Sequence, residues 1–426
     1  MAELADAPDL GSGGLSVQVQ ILSPAPVNLA GTAREPVFFV NVAIKVNPLL
    51  SLLAALFISL VAGWLLSLGE PGKFLAEEVL FPLGLFYLKL LFLFSIPLLS
   101  GALIRRGEDL SKEWRCCRFS GRLYMFWGAS VLGAVLLGLL SGGCFSFAEP
   151  LFTLKTQYLA DFVLLRKFLP AIVILSFLFG VSPAGMREEE KTFSPVTASL
   201  FQALERTGRS LLKLMPAGVI LLLAPWISFT GYAVIGLGLK LLLILVTVCV
   251  VYSFLFYGYS LRRCGKNCPA HFWSFFKSVA LAGIAGFSLA NCTNSAISNL
   301  QRLGIDMAGK RDLFTSGMHW GAAGTALYCG LTGLAVLQYS GVGLSGERIA
   351  AVSFFSVLFS VGAADFTGGG FYRLLFLVLL LDVPLSGLFP VLAVECFLDG
   401  VRRGVNVLGA GTGIYLADKL RWDKKK

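Results

Sequence analysis

Charge is what this chain has least of. Only 14% of its 426 residues are charged while 56% are hydrophobic, a balance too apolar for the surface of a soluble protein of this length. Mean hydropathy is +0.78. Histidine is also scarce, with two in the sequence, so imidazole chemistry has little material. No Gly-x-Ser-x-Gly elbow and no His-Glu-x-x-His pair occurs, which argues against the common hydrolase sites. Paired intramembrane carboxylates can serve a protease, but Arg402 beside Asp399 holds that acid ionised, the wrong state for such a dyad. No enzyme is expected. The nine cysteines build no disulfide framework: Cys144, Cys249, Cys292, Cys329 and Cys396 sit in apolar runs, where cysteine behaves as a small hydrophobe. Cys264, Cys268 and His271 lack the fourth ligand that zinc wants. Residues 1–45 carry no basic region leading into a short apolar core, so no cleaved signal peptide is expected.

What fills the sequence instead is long apolar runs. Val46–Gly69, Leu123–Ala148, Phe168–Met186, Leu214–Leu239 and Leu241–Leu261 contain no charge, and Val79–Ile104 is interrupted by Lys89 alone. Most exceed the roughly 20 residues that cross a hydrocarbon core as helix. The chain therefore reads as an all-α polytopic membrane protein. Its net charge of +10 belongs to topology rather than to nucleic acid. Arg105, Arg106, Lys112, Arg115, Arg118 and Arg122 crowd one connection, and Lys419, Arg421 and Lys424–Lys426 close the chain. Basic clusters beside spans face the cytoplasm, so an even number of crossings separates them. Residues 1–45 read as an N-terminal cytoplasmic tail, with Val37–Val46 either a short strand or an interfacial segment. Residues 46–420 form one transmembrane domain, and 421–426 a basic cytoplasmic tail.

Six spans come first, at about 47–69, 79–104, 122–146, 168–186, 207–230 and 233–260. Ser278–Ala290 then offers an apolar arm only about 20 Å long as helix. It runs into the polar stretch Asn291–Asn299, and a long segment Leu313–Val342 follows. The pattern repeats with the arm Ile349–Val361, a glycine-rich tip Gly362–Gly370, the arm Phe371–Leu381, and a long helix from about Val383 to Leu416. Two short arms around a polar tip predict a re-entrant hairpin, which survives at membrane depth only under protein or water. A hairpin and a long helix, twice over, point to paired repeats with a midplane site.

The last long helix carries the densest signal. Glu395, Asp399, Arg402, Arg403 and Asn406 share one helical face. Each buried charge costs about 2.5–3.5 kcal/mol on insertion scales, so this face is where a polar solute is expected. An internal Asp399–Arg402 pair at i,i+3 that joins helices is the structural alternative.

These blocks resemble the dicarboxylate/amino acid:cation symporter family, the glutamate transporter fold. The resemblance is carried by Pro82-Leu83-Gly84 with Ile96-Pro97-Leu98-Leu99, by Pro216-Ala217-Gly218-Val219, and by Gly324-Thr325-Ala326-Leu327-Tyr328. Ser360–Ala364 with Gly368–Gly370, and Asp399, Arg402 and Asn406 in Asp-x-x-Arg-x-x-x-Asn spacing, complete it. It implies eight transmembrane helices plus two re-entrant helical hairpins (about 278–303 and 349–381) in inverted repeats, assembled as a homotrimer in the inner membrane. The scaffold falls mainly in 46–118 and 168–230. The moving part falls mainly in 119–148 and 233–418 and carries an amino acid or dicarboxylate across as an elevator.

For an acidic amino acid, the resemblance gives Arg402 to the side-chain carboxylate, which its planar fork suits. It gives Asp399 to the ammonium and Asn406 to the α-carboxylate. Thr325 and the hairpin tips at Thr293, Asn294 and Phe366–Gly370 complete the cage. The chain departs from the pattern where the family holds sodium. Gly321-Ala322-Ala323 replaces a run containing Asn and Asp, and Ala410 stands where an Asp is usual. Arg403 and Asp365 add charges where the family has small residues. No cofactor and no resident metal are expected. The coupling ion is expected to be a proton, with Glu395 and His319 as candidate carriers, or a reduced set of sodium ions. A neutral amino acid transporter of the same fold and an anion-conducting channel are the alternatives.

Overall fold

Within lipid a chain must bond its own N–H and C=O groups, which makes helix the form of long apolar runs. The computed structural model describes residues 16–19, 42–45, 48–116, 121–145, 213–262, 289–307, 310–361, 369–381 and 383–420, with scattered positions between 168 and 211 and between 273 and 277. From Pro48 onward every regular element among the described residues is helical. A two-stranded ribbon precedes them: β1 (Ser16–Val19) pairs antiparallel with β2 (Val42–Lys45), Ser16 opposite Lys45. The strand alternative for the Val37–Val46 stretch thus holds over Val42–Lys45.

Helix α1 (Pro48–Ser67) is followed by α2 (Glu70–Leu75), which winds through a π-helical stretch, Ala76–Leu80, into α3 (Phe81–Cys116) with Pro97 inside it. Next come α4 (Gly121–Cys144) and α5 (Met215–Thr230). Pro216 sits in the first turn of α5, where its missing N–H interrupts no helical bond. Gly231, at φ 69°, reverses the chain into α6 (Ala233–Tyr252), which continues through a π-helical stretch to Arg262. The second half comprises α7 (Leu289–Arg302), α8 (Arg311–Trp320), α9 (Ala323–Tyr339), α10 (Gly346–Val361), α11 (Gly369–Leu381) and α12 (Phe389–Lys419).

Among the described residues, five helical stretches are long and apolar enough to cross a membrane: Leu50–Ser67, Glu70–Gly101, Gly121–Cys144, Ala233–Arg262 and Leu313–Tyr339. The expected 207–230 span appears as the shorter α5, and most of 168–186 lies outside the described residues. Two expectations change. The polar stretch Asn291–Asn299 is helical within α7 rather than an irregular tip, and most of the arm before it lies outside the described residues. Leu313–Val342 is not one helix, because α8 ends at Trp320 and α9 begins at Ala323. The arms expected for a second hairpin correspond to the helices α10 and α11, and the stretch between them, 362–368, lies outside the described residues.

The core is centred on α9, every residue of which except Gln338 is buried. It packs against α4, α10, α11 and α12, while α1 and α3 pack on α5. Trp226 of α5 stacks on Phe389 at 4.3 Å between ring centroids, and Phe81 of α3 packs on both. That aromatic joint anchors the start of α12 against the first group of helices.

Candidate functional site

The charged face of α12 turns inward against the first turns of α9. Asp399, Arg402, Arg403, Asn406, Glu395 and Thr325 are all at most 3% exposed. Charges this deep persist only when paired, and Asp399, Arg402 and Arg403 are paired with one another. Arg402 donates from Nε and Nη2 to Oδ1 of Asp399, at 3.2 and 2.5 Å, and from Nη1 to Thr325 Oγ1 at 3.0 Å. Arg403 donates from Nη2 to the other oxygen, Oδ2, of the same carboxylate, and reaches the Asp399 carbonyl at 3.4 Å through Nε. One aspartate therefore holds two guanidiniums.

Asn406 completes the join with α9. Its Nδ2 donates to Thr325 Oγ1 at 2.9 Å, and its Oδ1 accepts from the Thr325 backbone N–H at 3.1 Å. The first N–H groups of a helix lack intrahelical partners, so this side chain caps α9. Gly324 makes the crossing possible, because a Cβ there would collide with the Arg402 carbonyl and lie 2.9 Å from Asn406 Oδ1.

Glu395 lies one turn before Asp399. Its Oε2 accepts from the Tyr328 hydroxyl at 2.8 Å, while Oε1 is buried without a hydrogen-bond partner. Gly370, in the first turn of α11, faces this group. A Cβ on Gly370 would sit 3.2 Å from Glu395 Oε1, 3.3 Å from Arg402 Nε and 3.4 Å from Tyr328 Cε1. The first turn of α11 thus lies directly on the charged cluster, where any Cβ would be held tighter than ordinary contact.

The cluster therefore contains Asp399, Arg402, Arg403, Asn406, Thr325, Glu395 and Gly370. Thr293 is half-buried and Asn294 exposed on α7, which packs on α12. Asp365 and Phe366 lie outside the described residues. His319 is buried in the last turn of α8, just before the break at Gly321–Ala322. The sequence reading did not single out Tyr328 as a site residue. Its position three residues after Thr325, on the same helical face, was the available signal. Trp127 of α4 was also missed: its fully buried indole packs against the backbone at Gly317, Gly321 and Gly413, lining the break.

The model of the sodium:dicarboxylate symporter family matches residues 153–420, more than half of the chain and the whole of the α7–α12 region. This chain belongs to that family. Human excitatory amino acid transporter 2 is 30% identical over 158 residues, covering 35% of this chain and 28% of that protein. The excitatory amino acid transporter of Onchocerca volvulus is 29% identical over 143 residues, covering 33% and 29%. The C4-dicarboxylate transport protein of Laribacter hongkongensis (strain HLHK9) is 22% identical over 392 residues, covering 84% of this chain and 87% of that protein. The matched stretch spans under a third of the length of the first two relatives. For this member of the symporter family, the break between α8 and α9 is informative. Gly321, Ala322, Ala323 and Gly324, with Ala410 next to the Gly409 that approaches the Gly321 carbonyl, carry no side-chain oxygen, whereas sodium is a hard cation that takes oxygen ligands. These residues can offer a cation only their backbone carbonyls.

Proposed function

We propose that this chain is a multi-pass secondary transporter that moves small carboxylate solutes, dicarboxylates or acidic amino acids, with a proton as coupling ion. The observation that carries the reading is the buried Asp399–Arg402–Arg403–Glu395 cluster on α12, roofed by Gly370 of the second hairpin and closed by Thr325 of α9. A guanidinium fork matches a carboxylate bidentately. Intramembrane ionisable groups that meet at a hairpin mark substrate and proton pathways. The printed names of the relatives are those of amino acid and C4-dicarboxylate transporters, which fits the same chemistry.

Glu395 is the proposed proton carrier. Its unpartnered oxygen is buried beside Gly370 at the start of α11. His319 is the second candidate, set beside the α8–α9 break. No step is assigned to sodium. Movement of α9–α12 against α1, α3 and α5 as an elevator, a homotrimer embedded in lipid, an inner-membrane location and cytoplasmic termini are parts of the same proposal. Exposed apolar residues on α1 and α3, among them Phe57, Trp64 and Phe86, suit lipid or a second copy.

The test is uptake of labelled succinate and L-aspartate into proteoliposomes under separate pH and sodium gradients. Saturable uptake with counterflow, driven by an inward proton gradient, is expected. Uptake that follows sodium and ignores pH refutes the coupling. Unsaturable, voltage-following anion current refutes the carrier and favours a channel. Preference for alanine or serine over both acids returns the neutral amino acid alternative.

A further inference from the structure

An acidic amino acid brings an ammonium group as well as two carboxylates, and that ammonium needs an anion. We propose that Arg403 fills this role internally: its guanidinium occupies Asp399, so the site recognises dicarboxylates that carry no amine. The inference rests on the transport function proposed above and narrows its substrate class.

Both oxygens of Asp399 are engaged by cations, Oδ1 by Arg402 and Oδ2 by Arg403. A third cation brought to that carboxylate meets two guanidiniums at contact distance, and like charges so placed disfavour the wrong partner. Displacing Arg403 offers no escape. It is 2% exposed, and breaking a buried ion pair is strongly destabilising. The other acid among the described residues of the cluster, Glu395, has one oxygen on Tyr328 and the other buried beside Gly370. What remains around the cluster is electropositive. The N-termini of α9 and α11 begin at Ala323 and Gly369, beside the Arg402 guanidinium, and helix N-termini favour negative charge. Such surroundings suit a dianion, and among the described residues they offer an ammonium no further acid.

Competition against labelled succinate in proteoliposomes of the full-length chain tests this. In the wild type, succinate is expected to compete more strongly than L-aspartate by roughly tenfold or more. Arg403→Ser frees Oδ2 of Asp399, and the aspartate-to-succinate ratio should shift toward aspartate by roughly tenfold. A purely structural role for Arg403 lowers both affinities together and leaves the ratio unmoved. The wild-type comparison decides even if the variant does not fold, because L-aspartate competing as well as succinate overturns the inference. Succinate uptake with equal aspartate competition removes only the role of Arg403. Absence of uptake of either acid removes the transport proposal and this inference with it.

Discussion

Replacing Glu395 with glutamine separates proton carriage from cargo binding. The side chains are nearly the same size, so the contact with Gly370 and the acceptor for the Tyr328 hydroxyl both remain. Charge-assisted hydrogen bonds are about twice as strong as neutral ones, so weakening the 2.8 Å bond to Tyr328 costs about 1 kcal/mol. The amide N–H₂ then occupies the place of Oε1, which has no partner. An unsatisfied buried donor costs about 1–3 kcal/mol, a penalty that a carboxylic O–H at the same place shares. The cost of about 1 kcal/mol at the Tyr328 bond applies against ionised Glu395; measured against the proton-bearing acid, whose bond from Tyr328 is neutral too, Glu395→Gln should change stability by less than about 1 kcal/mol.

The functional effect should be much larger. One pH unit across the membrane is worth about 1.4 kcal/mol per proton, or about tenfold accumulation. Proteoliposomes with the wild-type chain should concentrate labelled succinate about tenfold under a one-unit inward gradient, if one proton accompanies each cargo molecule. With Glu395→Gln, accumulation should collapse to the level of exchange alone. Counterflow against preloaded succinate should persist within a factor of about three, because Arg402, Arg403 and Thr325 are untouched. A variant that still accumulates succinate under the pH gradient refutes Glu395 as the carrier.

The remaining predictions concern cargo and the gate. Arg402→Ala removes the fork and its bond to Thr325 but leaves Asp399 paired with Arg403. Succinate affinity should fall by about 2–5 kcal/mol in a binding assay, while the melting temperature drops only modestly. Loss of both in proportion would mean that Arg402 only holds the fold together. Gly370→Ala places a methyl 3.2–3.4 Å from Glu395, Arg402 and Tyr328, tighter than ordinary contact on three sides. The arm must shift, closure should weaken by about 1–3 kcal/mol, and maximal uptake should fall more than succinate affinity. An unchanged uptake rate would show that α11 does not act as a gate.

Much of the fold was legible because bilayer physics leaves few choices. Charge-free runs such as Leu123–Ala148 have to be helices, and α4 is one. The polar stretch Asn291–Asn299 was less legible. Its Asn, Thr and Ser residues weaken helix propensity, yet they continue as α7, whose buried Ala296 and Leu300 lie one turn apart. Tertiary packing outweighed propensity there. The break between α8 and α9 is written in Gly321 but is not predicted by any apolar count, since Leu313–Val342 is apolar on both sides of it. At the site, the spacing of Asp399, Arg402 and Asn406 gave the shared face. It did not give the partners. Tyr328 meets Glu395 only through the α9–α12 crossing, and that crossing depends on Gly324 having no side chain.

The same break decides whether an ion is needed for structure. Irregular backbone at membrane depth requires its polar groups to be satisfied, and a bound cation is one way to do so. Here protein groups contribute directly. The Gly321 N–H donates to the Gly317 carbonyl at 2.8 Å, Ala323 to Gly321 at 2.7 Å, and Thr325 to Ala322 at 3.0 Å as well as to Asn406. The Trp127 ring covers the outside against Gly317, Gly321 and Gly413. Sodium should therefore add nothing to stability. A site filled at a hundred times its dissociation constant adds about 2.7 kcal/mol to unfolding, a shift of several degrees that thermal melting in detergent resolves easily. Melting temperatures in sodium chloride and in choline chloride of equal ionic strength should coincide. A sodium-specific, saturable rise would show that carbonyls alone can build the site that the missing side chains argue against, and would return sodium to the coupling scheme in place of Glu395.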